Sequence, residues 1–293
     1  MSRPSLVVLA GGMARRFGGI KPLAKIGPSD EAVLDYLVHD AAAAGFERVV
    51  LVLNPTTGPA IAEHVRANWD PAFIEVDFAT QQEPHGTVHA VLAAREQLDP
   101  SRPFAVSNAD DLYGTAALKA LVEHLDVEHP TNALVSFRLD QTIVTAAPVT
   151  RGVCAIDDHG HLVRIDERRQ VHTKVKGTFG VDDGREPAIL PPTALVSMNL
   201  WGFAPQMWSV FETAMERPRS AETEVLLPEV VDDLLHDRIP DAPHCITRFT
   251  VFSSHERCIG VTHQEDLEPV RAALREQIEA GLRPARLVGS LYR

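Results

Sequence analysis

Two stretches of this 293-residue chain carry residues with a definite chemistry: a glycine-rich bend spanning residues 9–22 and a pair of adjacent carboxylates, Asp110 and Asp111. The bend, Leu9-Ala10-Gly11-Gly12-Met13-Ala14-Arg15-Arg16-Phe17-Gly18-Gly19-Ile20-Lys21-Pro22, follows a short apolar run. Its glycines allow the main chain to approach phosphate oxygens closely, and Arg16 and Lys21 supply fixed positive charge that can neutralise a polyphosphate. The Gly-Lys-Ser/Thr ending of a P-loop is missing, as is the Gly-x-Gly-x-x-Gly spacing of a dinucleotide fold. A plain surface turn is the competing reading, but such turns seldom put four glycines and three cations straight after a buried strand. In Val106-Ser107-Asn108-Ala109-Asp110-Asp111-Leu112-Tyr113-Gly114 the two carboxylates end another apolar run. A hard cation such as Mg2+ takes carboxylate and phosphate oxygens together, so Asp110 is the first choice of ligand. Asp111 is the second, because neighbours on a strand point to opposite sides unless the chain turns; ordinary turn formation would also place Asp here.

Elements that could hold these groups alternate through the first half of the chain. Apolar runs at Leu6 to Ala10, Arg48 to Asn54, Ile74 to Thr80, Phe104 to Asn108 and Ala133 to Leu139 read as strands. Between them Val33, Leu34, Leu37, Val38, Ala41 and Ala42 form one helical stripe closed by Gly45, and further helices are expected over Thr87 to Leu98 and Thr115 to Leu125. After Thr150 the texture changes to a hairpin, Arg151 to Asp166, turning at Asp157-Asp158-His159-Gly160, and then a polar stretch to Pro192. A strand over Ala194 to Phe203, a helix over Glu222 to Asp237 that Pro228 either interrupts or truly starts, a strand near Thr247 to Ser253 and a terminal helix from Asp266 to Ala280 complete the pattern. The expectation is an α/β, Rossmann-like three-layer mixed sheet with helices on both faces and a β-rich insertion covering its open end. All 293 residues are assigned to one domain: a nucleotide-binding half over about 1–140, an acceptor-binding part over about 141–265 and a C-terminal helix over about 266–282.

Composition narrows the class. A hydrophobic content of 45% over this length buries a large core without staples, and the three widely spaced cysteines, Cys154, Cys245 and Cys258, suggest neither a disulfide framework nor a zinc site. We therefore expect a reducing, cytoplasmic setting. The net charge of -12 argues against a nucleic-acid partner, and no apolar run approaches the length of a membrane span. The 13 histidines do not cluster at ligand spacing.

The glycine-rich bend resembles the signature of the nucleotidylyltransferase superfamily, Leu-Ala-(Ala/Gly)-Gly followed by an Arg and a Lys. Gln81-Gln82-Glu83-Pro84-His85-Gly86-Thr87-Val88-His89-Ala90 is similar to the base-contacting element of N-acetylglucosamine-1-phosphate uridylyltransferases and related sugar-phosphate enzymes. The resemblance implies catalytic roles for Arg16, Lys21 and Asp110, with nucleotide contacts at Ala10, Gly11, Gly12, Gln81, Gly86 and Thr87. It also implies an acceptor site, carried to Glu167 for a hydroxyl, Arg168 for the phosphate, with Lys174 and Lys176 as rivals, and Asn199 as a second contact. Metal ligation falls to Asp110 and Asp111, joined by Asp266 near the region where relatives supply a further ligand. The implied reaction couples a nucleoside triphosphate to a sugar 1-phosphate or cyclitol phosphate and releases pyrophosphate, with Mg2+ as cofactor. Three alternatives remain at this point: a molybdenum-cofactor-type guanylyltransferase, a glycosyltransferase of similar fold and a non-catalytic sensor of sugar nucleotides. Base, acceptor and any homo-oligomeric state are left open.

Overall fold

The apolar runs pair into one large mixed sheet in the computed structural model, which describes residues 3–12, 17–143, 147–174, 177–217, 224–240, 242, 246–287 and 289–293. In chain order the first half comprises β1 (Ser5–Leu9), α1 (Val33–Ala44), β2 (Arg48–Leu53), α2 (Gly58–Asn68), β3 (Glu75–Thr80), α3 (Thr87–Ala93) and β4 (Phe104–Asn108), then a two-residue β5 (Asp111–Leu112), α4 (Thr115–Leu125) and β6 (Asn132–Arg138). The second half comprises β7 (Val149–Ile156), β8 (Leu162–Thr173), β9 (Phe179–Val181), β10 (Ile189–Leu190), β11 (Leu195–Phe203), α5 (Met207–Glu216), α6 (Leu227–Leu235), β12 (Phe249–Ser254), β13 (Ile259–Gly260) and α7 (Leu267–Glu279).

Strands β3, β2, β1 and β4 lie side by side in parallel, as alternating strands and helices require. Strand side chains alternate between faces, so Leu6 and Val8 meet α1, α2, α4 and α7, while Val7 meets α3, α5 and α6. This is the three-layer arrangement expected from the sequence. Helix α2 was not anticipated: its short stripe of Ile61, Ala62 and Val65 hides behind the turn-forming Asn54-Pro55-Thr56-Thr57-Gly58-Pro59, yet Pro is well tolerated in a first helical turn. The helix expected over residues 87–98 ends at Ala93 and passes into a 3-10 turn, Arg95–Gln97. Pro228 lies in the first turn of α6 and marks its start, one of the two readings the sequence offered. The hairpin forms as β7 and β8; the Asp157 carboxylate accepts the His159 and His161 amides at the turn. Cys154 and Cys258 are free, and Cys245 lies outside the described residues. Among the described residues no helix is long and apolar enough to cross a membrane.

One irregularity shapes the open end of the sheet. Strand β11 runs antiparallel to β4 over Trp201, Gly202 and Phe203, but over Val196 and Ser197 its partner on that side is β7. The changeover falls at a bulge between Ser197 and Leu200, where Asn199 adopts φ 60. Strand β7 thus takes over where β4 ends, and the sheet forks at the carboxyl end of β4.

Behind the sheet, the fully buried Asp35 ties three parts of the chain together. Its carboxylate accepts the Ala32 amide (2.6 Å), Trp69 Nε1–H (2.7 Å) and the Tyr292 hydroxyl (2.5 Å), with His64 Nε2 at 2.8 Å. Asp35→Ala leaves these donors buried without an acceptor, and the expected cost is about 3 kcal/mol or more. Thermal unfolding should show a Tm lower by at least about 6 °C; an unchanged Tm would contradict the assigned role.

Candidate functional site

The site grows from the neighbouring ends of β1 and β4. The amide of Ala10 donates to Val52 (2.9 Å) and that of Ala109 donates to the Leu9 carbonyl (3.2 Å), so the glycine bend and the acidic segment leave the sheet side by side. The Gly11 carbonyl accepts Asn54 Nδ2 (3.0 Å), and a Cβ on Gly11 would lie 3.0 Å from Gln81 Oε1. Residues 13–16, and Arg16 with them, lie outside the described residues. The chain resumes at Phe17 and enters a 3-10 turn, Lys21–Leu23, that carries Lys21 back over the acidic segment: its Nζ is 3.6 Å from Asp110 Oδ2.

The acidic segment is held from two directions. The Asn108 amide donates to the Tyr113 hydroxyl (2.9 Å), which itself donates to the Met198 carbonyl at the β11 bulge (2.8 Å). Asn108 Nδ2 donates to Asp111 Oδ2 (2.9 Å), turning that carboxylate back instead of letting strand alternation send it away. Asp111 also pairs with Gly260 across β5 and β13; a Cβ at Gly260 would lie 2.0 Å from Asp111 Oδ1, so a larger residue there would displace that carboxylate. Burial raises both carboxyls above the usual carboxylate range, with Lys21 opposing the rise at Asp110; burial and the Asp110 charge push Asp111 up to about 7.

Two clefts meet here. One, about 530 Å3, is lined by Gly11, Gly12, Gln81, Gly86 and Thr87 and reaches Asn108 and Asp110. The other, about 270 Å3, lies in the fork of the sheet and shares Asn108 and Asp110 with the first; Arg151, Glu167, Asn199 and Asp266 line it together with Asp111. Gln81 Nε2 donates to the Gly86 carbonyl (3.0 Å), and the Thr87 hydroxyl accepts the Leu227 amide (2.8 Å).

Arg168 is not presented to either cleft, contrary to the sequence expectation. It is 1% exposed, its guanidinium donates to both Asp183 oxygens (2.7 and 3.0 Å) and to the carbonyls of Arg185 and Pro187. It is a brace for the loop between β9 and β10. The cation the cleft does contain is Arg151, on β7, anchored by donation to the Thr142 hydroxyl (3.1 Å), the Thr142 carbonyl (2.6 Å) and the Thr150 carbonyl (2.8 Å). No sequence signal marks it: a single arginine at the head of a hairpin has many uses. Asp266 lines the cleft, but its Oδ2 accepts the Thr262 (2.8 Å) and His263 (2.6 Å) amides at the approach to α7. Among the described residues no three His, Cys, Asp or Glu side chains converge to hold a metal, so Asp266 does not complete a set with Asp110 and Asp111. Of the rival lysines, Lys174 lines neither cleft and Lys176 lies outside the described residues.

Comparison with known proteins gives this arrangement a family. The model of the MobA-like NTP transferase domain matches residues 6–197, which takes in the glycine bend, the 81–90 turn, the acidic pair and most of the fork. The chain belongs to that family. Within the MobA-like NTP transferases and their superfamily it is similar to the bifunctional protein GlmU of Burkholderia mallei (strain SAVP1), 30% identical over 198 residues, 67% of this chain and 40% of that protein. GlmU of Cupriavidus pinatubonensis is 30% identical over 182 residues, 61% of this chain and 37% of that protein. The chain thus spans about two fifths of the length of these curated relatives. Among solved structures, HddC from Yersinia pseudotuberculosis has a TM-score of 0.59 at 19% identity, covering 92% of this chain and 99% of that one. The inositol-1-phosphate CTP transferase from T. maritima has a TM-score of 0.62 at 14% identity, covering 94% and 98%. Both share the fold of this chain.

Because Arg168 and Asp183 form a buried pair, Arg168→Ala strands the carboxylate, at an expected cost of about 3 kcal/mol. Differential scanning calorimetry should show a Tm lower by about 6–12 °C. A stable variant with a weakened acceptor requirement would instead return Arg168 to the binding site.

Proposed function

We propose that this MobA-like NTP transferase couples a nucleoside triphosphate to a sugar 1-phosphate, giving a nucleoside diphosphate sugar and pyrophosphate. One observation carries the reading: a glycine-lined cleft and a second, hairpin-walled cleft share Asp110, with Lys21 3.6 Å from its carboxylate. A triphosphate along Gly11 and Gly12 brings its α-phosphorus to the place where the two clefts join. An acceptor phosphate in the fork then lies in line for attack, and the leaving pyrophosphate departs over the glycine bend.

Little proton transfer is needed, since a phosphate monoester is already an anion near neutral pH. The chain contributes position and charge. Lys21 offsets negative charge as it moves onto the leaving group, and Arg16 is assigned the same role. Arg151 takes the acceptor phosphate in place of Arg168, and Glu167 and Asn199 accept or donate to sugar hydroxyls. Gln81, Gly86 and Thr87 receive the base, while Ala10, buried with its amide on the Val52 carbonyl, serves the nucleotide only by fixing the start of the bend. Asp110 and Asp111 suit Mg2+: they are adjacent oxygen donors, and burial raises both, so a cation would stabilise their charged forms. When bound there, the ion would draw charge from the phosphates and help to align them. Asp266 would act through the loop it caps.

A screen of common triphosphates against hexose 1-phosphates, read by pyrophosphate release, tests the reaction; release from no pair would reject it. Lys21→Ala and Asp110→Asn should each lower that release by at least about 100-fold while the protein stays folded by circular dichroism. Near-normal turnover in either would overturn the site. Arg151→Ala should raise the KM for the acceptor by about tenfold or more and that for the triphosphate by less than about threefold. Equal effects on both would remove Arg151 from the acceptor phosphate.

A further inference from the structure

The 530 Å3 cleft has one wall that belongs neither to the glycine bend nor to the 81–90 turn. The segment entering α6 supplies it. The Val225 amide donates to the His85 carbonyl (2.9 Å) and its carbonyl accepts the Val88 amide (3.0 Å), so the segment is stitched to the turn by main-chain bonds on both sides of Gly86. The Leu227 amide adds a bond to the Thr87 hydroxyl (2.8 Å). Contact is close enough that a Cβ at Gly86, where φ is 97, would lie 2.4 Å from the Val225 carbonyl oxygen. This stitching fixes the position of the preceding residue, Glu224, which lines the cleft beside Leu9, Gln81, Pro84 and Ala90.

Glu224 is exposed, and among the described residues its carboxylate has neither an ion pair nor a hydrogen bond. Gln81, lining the same cleft, gives its Nε2 proton to the Gly86 carbonyl (3.0 Å), which leaves Oε1 beside Gly11. Both side chains therefore offer acceptor oxygens. Leu9, Pro84 and Ala90 supply apolar surface for the faces of a flat ring.

A carboxylate accepts best from two donors set side by side. Guanine has that edge, with its ring N1–H next to its 2-amino group. Uracil presents one N–H between two carbonyl oxygens, which a carboxylate repels. Adenine and cytosine present an amino group next to a bare ring nitrogen, so one carboxylate oxygen would face a lone pair. Resting on the nucleotidyl-transfer reading above, we propose that Glu224 selects the base and that the triphosphate it selects is GTP.

Calorimetric titration of the full chain with Mg2+ and GTP, inosine triphosphate, UTP, CTP or ATP tests this directly. GTP should bind at least about tenfold more tightly than each of the others, inosine triphosphate included, because it lacks the 2-amino donor. In E224Q the preference for GTP over inosine triphosphate should shrink to within about threefold; an unchanged Tm shows that this exposed substitution leaves the fold intact. Binding of another triphosphate as tightly as GTP, or an unchanged preference in E224Q, would overturn the assignment to Glu224 while leaving nucleotidyl transfer standing. Binding of no triphosphate at all would instead remove the nucleotidyl-transfer reading, and this inference with it.

Discussion

Strands β1 and β4 end as parallel neighbours joined by the Ala109 amide and the Leu9 carbonyl, and that adjacency decides where charge collects. One strand releases a bend whose glycines leave room for phosphate; the other releases two carboxylates into a buried setting that disfavours their charge. Lys21, folded back from the bend, provides partial compensation. The result is a place where opposite charges are held a short distance apart by the main chain. Nothing in the local sequence of either strand end would suffice without the other.

The remainder of the structure makes this junction accessible from two sides. The bulge in β11 lets β7 replace β4 as its partner, which opens the fork containing Arg151, Glu167 and Asn199. Tyr113 bridges the fork to the end of β4 through its bonds to Asn108 and Met198, so the bulge and the acidic pair cannot shift independently. The Arg168 brace stiffens the outer strands in the same way, and Asp35 locks the C-terminal Tyr292 against α1. The match to the MobA-like NTP transferase domain, residues 6–197, takes in both the glycine bend and the β7–β8 hairpin.

Much of the fold was legible because it follows from periodicity: the strands at Leu6 to Ala10, Arg48 to Asn54 and Phe104 to Asn108 are continuous apolar runs, which only a sheet covered on both faces requires. The glycine bend and the aspartates were legible because main-chain approach and charge restrict which residue types can serve. Arg168 was misread because its spacing after Glu167 matched an expected pair, while its fate is set by Asp183 and two carbonyls in a loop beyond β9. Arg151 and Glu224 went unread for the same kind of reason: a fork between strands brings one to the cleft and main-chain pairing at Val225 brings the other, and neither leaves a trace in spacing. Short β5 and β13 escaped notice because two residues show no period.

The most direct measurement follows the phosphorus atoms. Triphosphate labelled separately at the α and γ positions is incubated with the protein, Mg2+ and a panel of sugar 1-phosphates, and the products are separated. The α label should appear in a sugar-linked nucleotide and the γ label in pyrophosphate. Recovery of the γ label on the sugar phosphate, or of both labels only in unreacted triphosphate across the panel, would contradict it.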